Sequence, residues 1–125
     1  MNKHAFAVLL LVPVLLSACA FGYRATGSLS DVPGELLGKG YPGNRGGGRF
    51  SLSDRDGRLS CDGQALPAKA LPNSGNCADD AGEGEVLCSD GRKIPVRWQA
   101  ISCRAWRGSG VDAQGNRLEF RVERR

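Results

Sequence analysis

A chain of 125 residues leaves room for one small domain and excludes a large enzyme with a deep cofactor cleft. Lys and Arg number 17 against 13 Asp and Glu, a formal +4, and only 6% of residues are aromatic. The one histidine, His4, excludes a His-based metal site, and a single apolar run excludes a multi-pass membrane protein.

The chain opens with Met-Asn-Lys-His, a short positive stretch, followed by twelve apolar residues at 5–16. Twelve residues are too few to span a ~30 Å hydrocarbon core, which needs about 20, but they suit the apolar region of an export signal. Pro13 would weaken a permanent helix by ~3 kcal/mol and does little harm in a transient one. Directly afterwards stand Leu16-Ser17-Ala18-Cys19. These four residues resemble the lipobox of bacterial lipoproteins: an aliphatic residue, two small residues that fit a peptidase cleft, then the Cys whose thiol takes a diacylglyceryl group. The resemblance implies that residues 1–18 are a signal peptide and that Cys19 becomes the first mature residue, carrying thioether-linked lipid and an N-acyl chain such as palmitate. Several acyl chains at ~0.8 kcal/mol per buried CH₂ make a stable anchor. Ala20, rather than Asp, follows the Cys. Within that family this implies the outer membrane, facing the periplasm.

Beyond Cys19 remain Cys61, Cys77, Cys88 and Cys103. An even number in an exported chain implies two disulfides, with three pairings open. The preferred expectation joins neighbours, Cys61–Cys77 and Cys88–Cys103, closing loops of about 15 residues worth ~3 kcal/mol each. A Cys₄ zinc site is disfavoured, because no pair has CxxC-like spacing. Neither metal nor cofactor is expected.

Residues 20–48 hold nine Gly plus Pro33 and Pro42 and show no sustained periodicity. With the lipidated Cys, residues 19–48 read as a flexible tether of r.m.s. span ~30 Å, able to lift a domain clear of the headgroups. Within it Asp31 suits a turn cap, and Leu36, Leu37 and Tyr41 are the residues able to dock; an unattached linker is the preferred reading. Residues 49–125 form the folded part. Apolar residues there recur at every second position: Phe50, Leu52; Leu59, Cys61; Val86, Cys88; Ile94, Val96, Trp98; Ile101, Cys103; Leu118, Phe120, Val122. Such alternation marks half-buried strands. Asp56-Gly57, Asp90-Gly91 and Gly115-Asn116 separate the runs as hairpin turns do. The expected fold is all-β, a disulfide-stapled antiparallel meander of β-hairpins.

Three segments share the plan Gly-x-Gly, strand, turn Gly, strand, beginning at Gly46, Gly82 and Gly108. Their first-to-turn Gly offsets differ by two, which preserves the facing of side chains. The middle one, GEGEVLCSDGRKIPVRW from Gly82 to Trp98, resembles a MORN repeat at Gly82, Gly84, Asp90, Gly91 and Trp98. Ile94 and Val96 depart from that pattern. The resemblance implies a hairpin scaffold and tilts away from an enzyme.

Available chemistry agrees. Without a mature His no Ser-His-Asp triad forms, and disulfide pairing removes the thiolates a Cys nucleophile needs. The carboxylate pairs Asp54/Asp56, Asp79/Asp80 and Glu83/Glu85 lie in Gly/Asp-rich turn sequence and read as solvated side chains. The run Asp79–Glu83 has no recognised calcium-ligand pattern. Charge is more informative. Residues 19–90 carry seven basic and ten acidic side chains, residues 91–125 nine basic and three acidic. Most of the basic ones are Arg, whose fork suits phosphate and carboxylate. Export argues against nucleic acid as the partner. The expectation is a non-catalytic, lipid-anchored envelope protein that binds an anionic glycan, lipid or protein through Arg104, Arg107, Arg121 and Arg124. The alternative is a periplasmic inhibitor of a hydrolase such as lysozyme, whose usual Ser-Gly-Ala-Arg-Tyr and Trp-x-Lys-Gly elements this chain lacks.

Overall fold

The computed structural model describes residues 22–43, 47–68, 77–78 and 80–125; residues 1–18, read above as a signal peptide, and Cys19 lie outside them. Eight strands follow one another: β1 (Tyr23–Leu29), β2 (Val32–Pro42), β3 (Gly48–Ser53), β4 (Ser60–Ala65), β5 (Ala81–Cys88), β6 (Lys93–Ser102), β7 (Ala105–Val111) and β8 (Arg117–Arg124). Each pairs antiparallel with the next, and β8 returns to β1 in continuous register from Tyr23↔Arg124 to Leu29↔Leu118. The fold is therefore all-β as the alternation indicated, and the meander closes into a barrel. Closure removes the unpaired strand edges that an open sheet would present.

The tether reading is corrected. Residues 23–42, assigned to a linker, supply two of the eight strands, and the barrel begins at Tyr23 rather than at residue 49. Their inward positions are written largely in small residues, which is why alternation was hard to see. Ala25, Leu29 and Leu36 are buried, while Gly27 and Gly40 also face other side chains. A Cβ on Gly27 would stand 2.7 Å from the Glu119 carbonyl oxygen and 3.1 Å from Leu52 Cδ1, and one on Gly40 would collide with Val122. Small residues here make room for large ones opposite, the taper a small barrel needs to fill its interior with side chains. Phe50 and Phe120 use that room at the centre, their rings stacked at 4.4 Å. Each lies over a glycine, Phe50 over Gly63 and Phe120 over Gly108.

The hairpin turns β1–β2, β3–β4, β5–β6 and β7–β8 gather at one end, here the turn end. Gly91 and Gly115 take φ of 91° and 87° there, left-handed backbone that glycine adopts without a Cβ penalty. The connections β2–β3, β4–β5 and β6–β7 lie at the other end, the open end, where the chain also enters and leaves: the Arg125 N–H donates to the Gly22 carbonyl at 2.8 Å. A second correction falls there. Ile101 and Cys103, expected to face inward, are exposed, because alternation along β6 turns its even-numbered residues inward from Ile94 to Ala100, which puts Ile101 outside, and Cys103 lies in the β6–β7 turn.

Two disulfides form, but neither joins sequence neighbours. The bonds are Cys61–Cys88 and Cys77–Cys103, across sequence separations of 27 and 26. Topology explains the correction. Cys61 stands at the turn end of β4, directly opposite Cys88 on β5. Cys77 precedes β5 at the open end, a barrel length away from Cys61 and beside the β6–β7 turn that holds Cys103.

Candidate anion-binding wall

Among the described residues no helix is long and apolar enough to cross a membrane. The barrel's own polarity is the inverse of a lipid-facing wall, with an apolar interior and charged outward positions such as Asp62, Glu85, Arg97 and Arg121. The interior is also full. The pocket at its open mouth, lined by Phe50, Trp98, Trp106, Phe120 and Val122, measures about 30 Å³, room for roughly one or two waters. Trp98 is buried and its Nε1–H donates to the Leu66 carbonyl at 2.9 Å, while Trp106 packs against Tyr23 with ring centroids 5.8 Å apart. Both tryptophans thus serve packing rather than an outer stacking surface. The charged side chains lie on the outside of the barrel.

There the arginines expected from the sequence come together on β6 to β8. Strand alternation turns Arg107 and Arg121 outward, and register sets them directly opposite each other across β7 and β8. Arg104, in the β6–β7 turn, and Arg124, at the end of β8, are neighbours: the Arg124 N–H donates to the Arg104 carbonyl at 3.0 Å. The four residues therefore fall into two adjacent pairs, one in the wall and one at the open rim. Two more join Arg107, while Arg121 lines the neighbouring groove with Thr26 and Glu35. Arg97 on β6 stands opposite Ser109, and a shallow groove is lined by Arg97, Gln99, Arg107, Ser109, Arg117 and Glu119.

Local carboxylates offset part of this charge. Arg117 Nε donates to Glu119 at 3.1 Å, and Arg121 Nε to Glu123 at 3.1 Å. Glu123 is shared with Arg24, 3.8 Å away. Like charges directly opposite each other across strands destabilise a sheet. The Arg107–Arg121 juxtaposition is thus the arrangement that an external anion relieves, and exposed guanidinium forks suit phosphate and carboxylate oxygens.

Arg92, part of the same basic sequence region, is engaged elsewhere. At the turn end its Nη1 and Nη2 donate to both oxygens of Asp31 at 2.9 and 3.0 Å, its Nε to Asp90 at 2.9 Å, and Nη1 also to Asp112 at 3.3 Å. Hydrogen bonds from Arg92 hold the Asp31 and Asp90 carboxyls below the usual carboxylate value. Burial raises the Asp112 carboxyl, but it too is lowered on balance by Asn116 and Gln114 donors and by Arg92. Arg92 is a clasp between three turns. The other carboxylates considered from sequence do not converge on a cleft. Asp54 accepts from the Leu59 N–H at 3.1 Å within its own turn, and Glu83 and Glu85 face outward on β5, with Glu85 3.5 Å from Lys93. Asp79 lies outside the described residues.

No protein-family model matches the chain, and no curated protein matches it either. Among solved structures the chain is similar to one titled as a redesigned beta barrel, at 14% identity and a TM-score of 0.53, over 87% of this chain and 93% of that one. At that identity the likeness establishes the barrel fold.

Proposed function

We propose that the chain is a non-catalytic, lipid-anchored protein of the bacterial envelope, held in the outer membrane through Cys19, whose barrel wall binds an anionic envelope glycan. The observation that carries this reading is the outward-facing Arg107–Arg121 pair, flanked by Arg97 and Arg117. The lipobox-like sequence before Cys19 supports the anchor, and two disulfides suit an oxidising compartment. A filled interior argues against a carrier of small ligands. Four forks spread over a wall suit repeated phosphates or carboxylates, the anions of lipopolysaccharide and peptidoglycan.

The test has two parts. Cys19→Ser should leave an unprocessed precursor that takes up no labelled palmitate; normal processing would refute the anchor. Mature protein should bind purified lipopolysaccharide or peptidoglycan in a salt-dependent manner, and replacing Arg97, Arg107, Arg117 and Arg121 together by Gln should abolish it. Capture and inhibition of a soluble hydrolase such as lysozyme, with no glycan bound, would favour the inhibitor reading instead.

A further inference from the structure

The two ends of the barrel differ in charge. The turn end carries Asp31, Asp54, Asp56, Asp90 and Asp112 against Arg55, Arg58, Arg92, Lys93 and Arg117, so its charges balance. The described rim of the open end carries Arg24, Arg49, Arg104, Arg124 and Arg125, all exposed, against Asp80 and Glu123. Large apolar side chains are exposed along this rim too: Tyr41 by 49%, Leu66 by 53% and Ile101 by 39%. Cationic guanidinium groups interleaved with an aromatic and two aliphatic side chains make a surface that fits the headgroup boundary of a bilayer, where charge meets anionic lipid and apolar groups enter the acyl edge.

The chain enters the barrel at this same end. Gly22 is tied to Arg125, and Ala20 and Phe21 alone separate it from Cys19, a reach of at most about 11 Å over three residue steps. A lipid on Cys19 would therefore hold the basic rim, and not the turn end, within a headgroup's distance of the bilayer. From the rim's composition and this short reach we infer that the open end of the barrel docks on an anionic phospholipid surface, fixing the molecule upright with its charge-balanced turn end pointing away from the membrane. The orientation leaves the wall arginines on the flank, facing sideways into the periplasm. The inference rests on the lipid-anchor reading, although the rim's affinity is measurable without the anchor.

The probe is the mature chain with Cys19→Ser, exported behind a conventional signal peptide, mixed with vesicles of phosphatidylethanolamine and phosphatidylglycerol and sedimented. Binding to these vesicles, reversed by salt and absent with phosphatidylcholine, is expected. Arg104→Glu with Arg125→Glu should weaken partition on the order of 30-fold or more, since each basic residue near an anionic surface is worth about fivefold. Arg55→Glu with Arg58→Glu changes net charge equally at the turn end and should leave partition within about twofold of the parent. Equal losses in both variants would show attraction by net charge without orientation, and no binding by the parent would refute the docking surface outright. Palmitate labelling of the native chain is read separately. A labelled chain whose rim ignores anionic vesicles overturns the orientation and spares the anchor, whereas an unlabelled chain whose rim binds them overturns the anchor and spares the surface.

Discussion

Arg92 grips Asp31 with two parallel hydrogen bonds, 2.9 and 3.0 Å, across 61 residues of sequence. The pair ties the β1–β2 turn to the β5–β6 turn, and the same guanidinium reaches Asp112 in the β7–β8 turn. Bidentate Arg–carboxylate pairs are the strong form of this bond. Asp112 is 2% exposed at its side chain, against 36% for Asp31 and 41% for Asp90, so solvent screens the latter two more.

The clasp gives stability an acid limit. All three carboxyls are held below the ordinary value of 3.8, and Arg92 stays charged throughout. A carboxyl depressed in the folded state stabilises fully above its unfolded value and loses that contribution as pH falls through its folded value. The thermal midpoint should therefore be flat from neutral pH to about pH 5 and decline below about pH 4. Arg92→Leu should lower the midpoint at neutral pH and flatten the acid decline. Circular dichroism melts at pH 7 and pH 3 check this, and an acid decline unchanged in the variant would remove Arg92 from the account.

The disulfides can be tested by mapping peptides without reduction, where Cys61–Cys88 and Cys77–Cys103 are expected. Replacing both Cys61 and Cys88 by Ser should cost about 3.5 kcal/mol by loop-closure entropy, with further loss because both sites are buried. Peptides linking Cys61 to Cys77 would contradict the strand register, since those residues belong to opposite ends of the barrel.

The central packing predicts a sharp contrast between glycines. Gly108→Val places a branched side chain against the Phe120 ring and the Arg97 carbonyl and should cost at least ~1–3 kcal/mol of overpacking. Gly63→Val should behave likewise against Phe50. Gly22→Ala meets nothing within 4 Å and should change stability by less than ~0.5 kcal/mol. Denaturant titrations of the three variants decide it; a neutral Gly108→Val would mean that the phenylalanine stack can shift aside.

These glycines also explain how far the fold was legible in the sequence. Leu118, Phe120 and Val122, or Ile94, Val96 and Trp98, announce their strands because each inward position is large and apolar. In β1 and β2 the same inward positions include Ala25, Gly27 and Gly40, so the period of two is present without the hydrophobicity that reveals it. Composition then suggested a linker, although what sets the two glycines is close approach, of the Glu119 backbone and Leu52 to Gly27 and of Val122 to Gly40. Cysteine pairing was illegible for a different reason: it depends on which strand ends share a barrel end, a property of closure. Of the candidate site, the arginine-rich segment was visible, but its division was not. Arg92 became a clasp, Arg104 and Arg124 a rim, and Arg107 with Arg121 a wall, because turn position and strand parity, which charge counting ignores, decide where each side chain points.

The wall makes a last prediction in which stability and binding move in opposite directions. Arg107 and Arg121 face each other across the strands, and Glu123 offsets the charge of Arg121 alone of the two. Removing one cation relieves the repulsion, so Arg107→Gln should raise unfolding stability by about 0.2–1 kcal/mol in low salt, and less as salt rises. A merely decorative arginine would leave ligand affinity untouched. As part of an anion site, its loss should weaken glycan binding by up to ~1 kcal/mol, an exposed pair's worth, and reduce the salt dependence of that binding. Arg121→Gln should weaken binding similarly but stabilise less, because it frees Glu123 of a partner. Melts and binding isotherms on the two single variants measure both quantities. Stabilisation without loss of affinity would reduce the pair to an unfavourable surface accident, and loss of both together would make Arg107 a structural residue of the barrel wall.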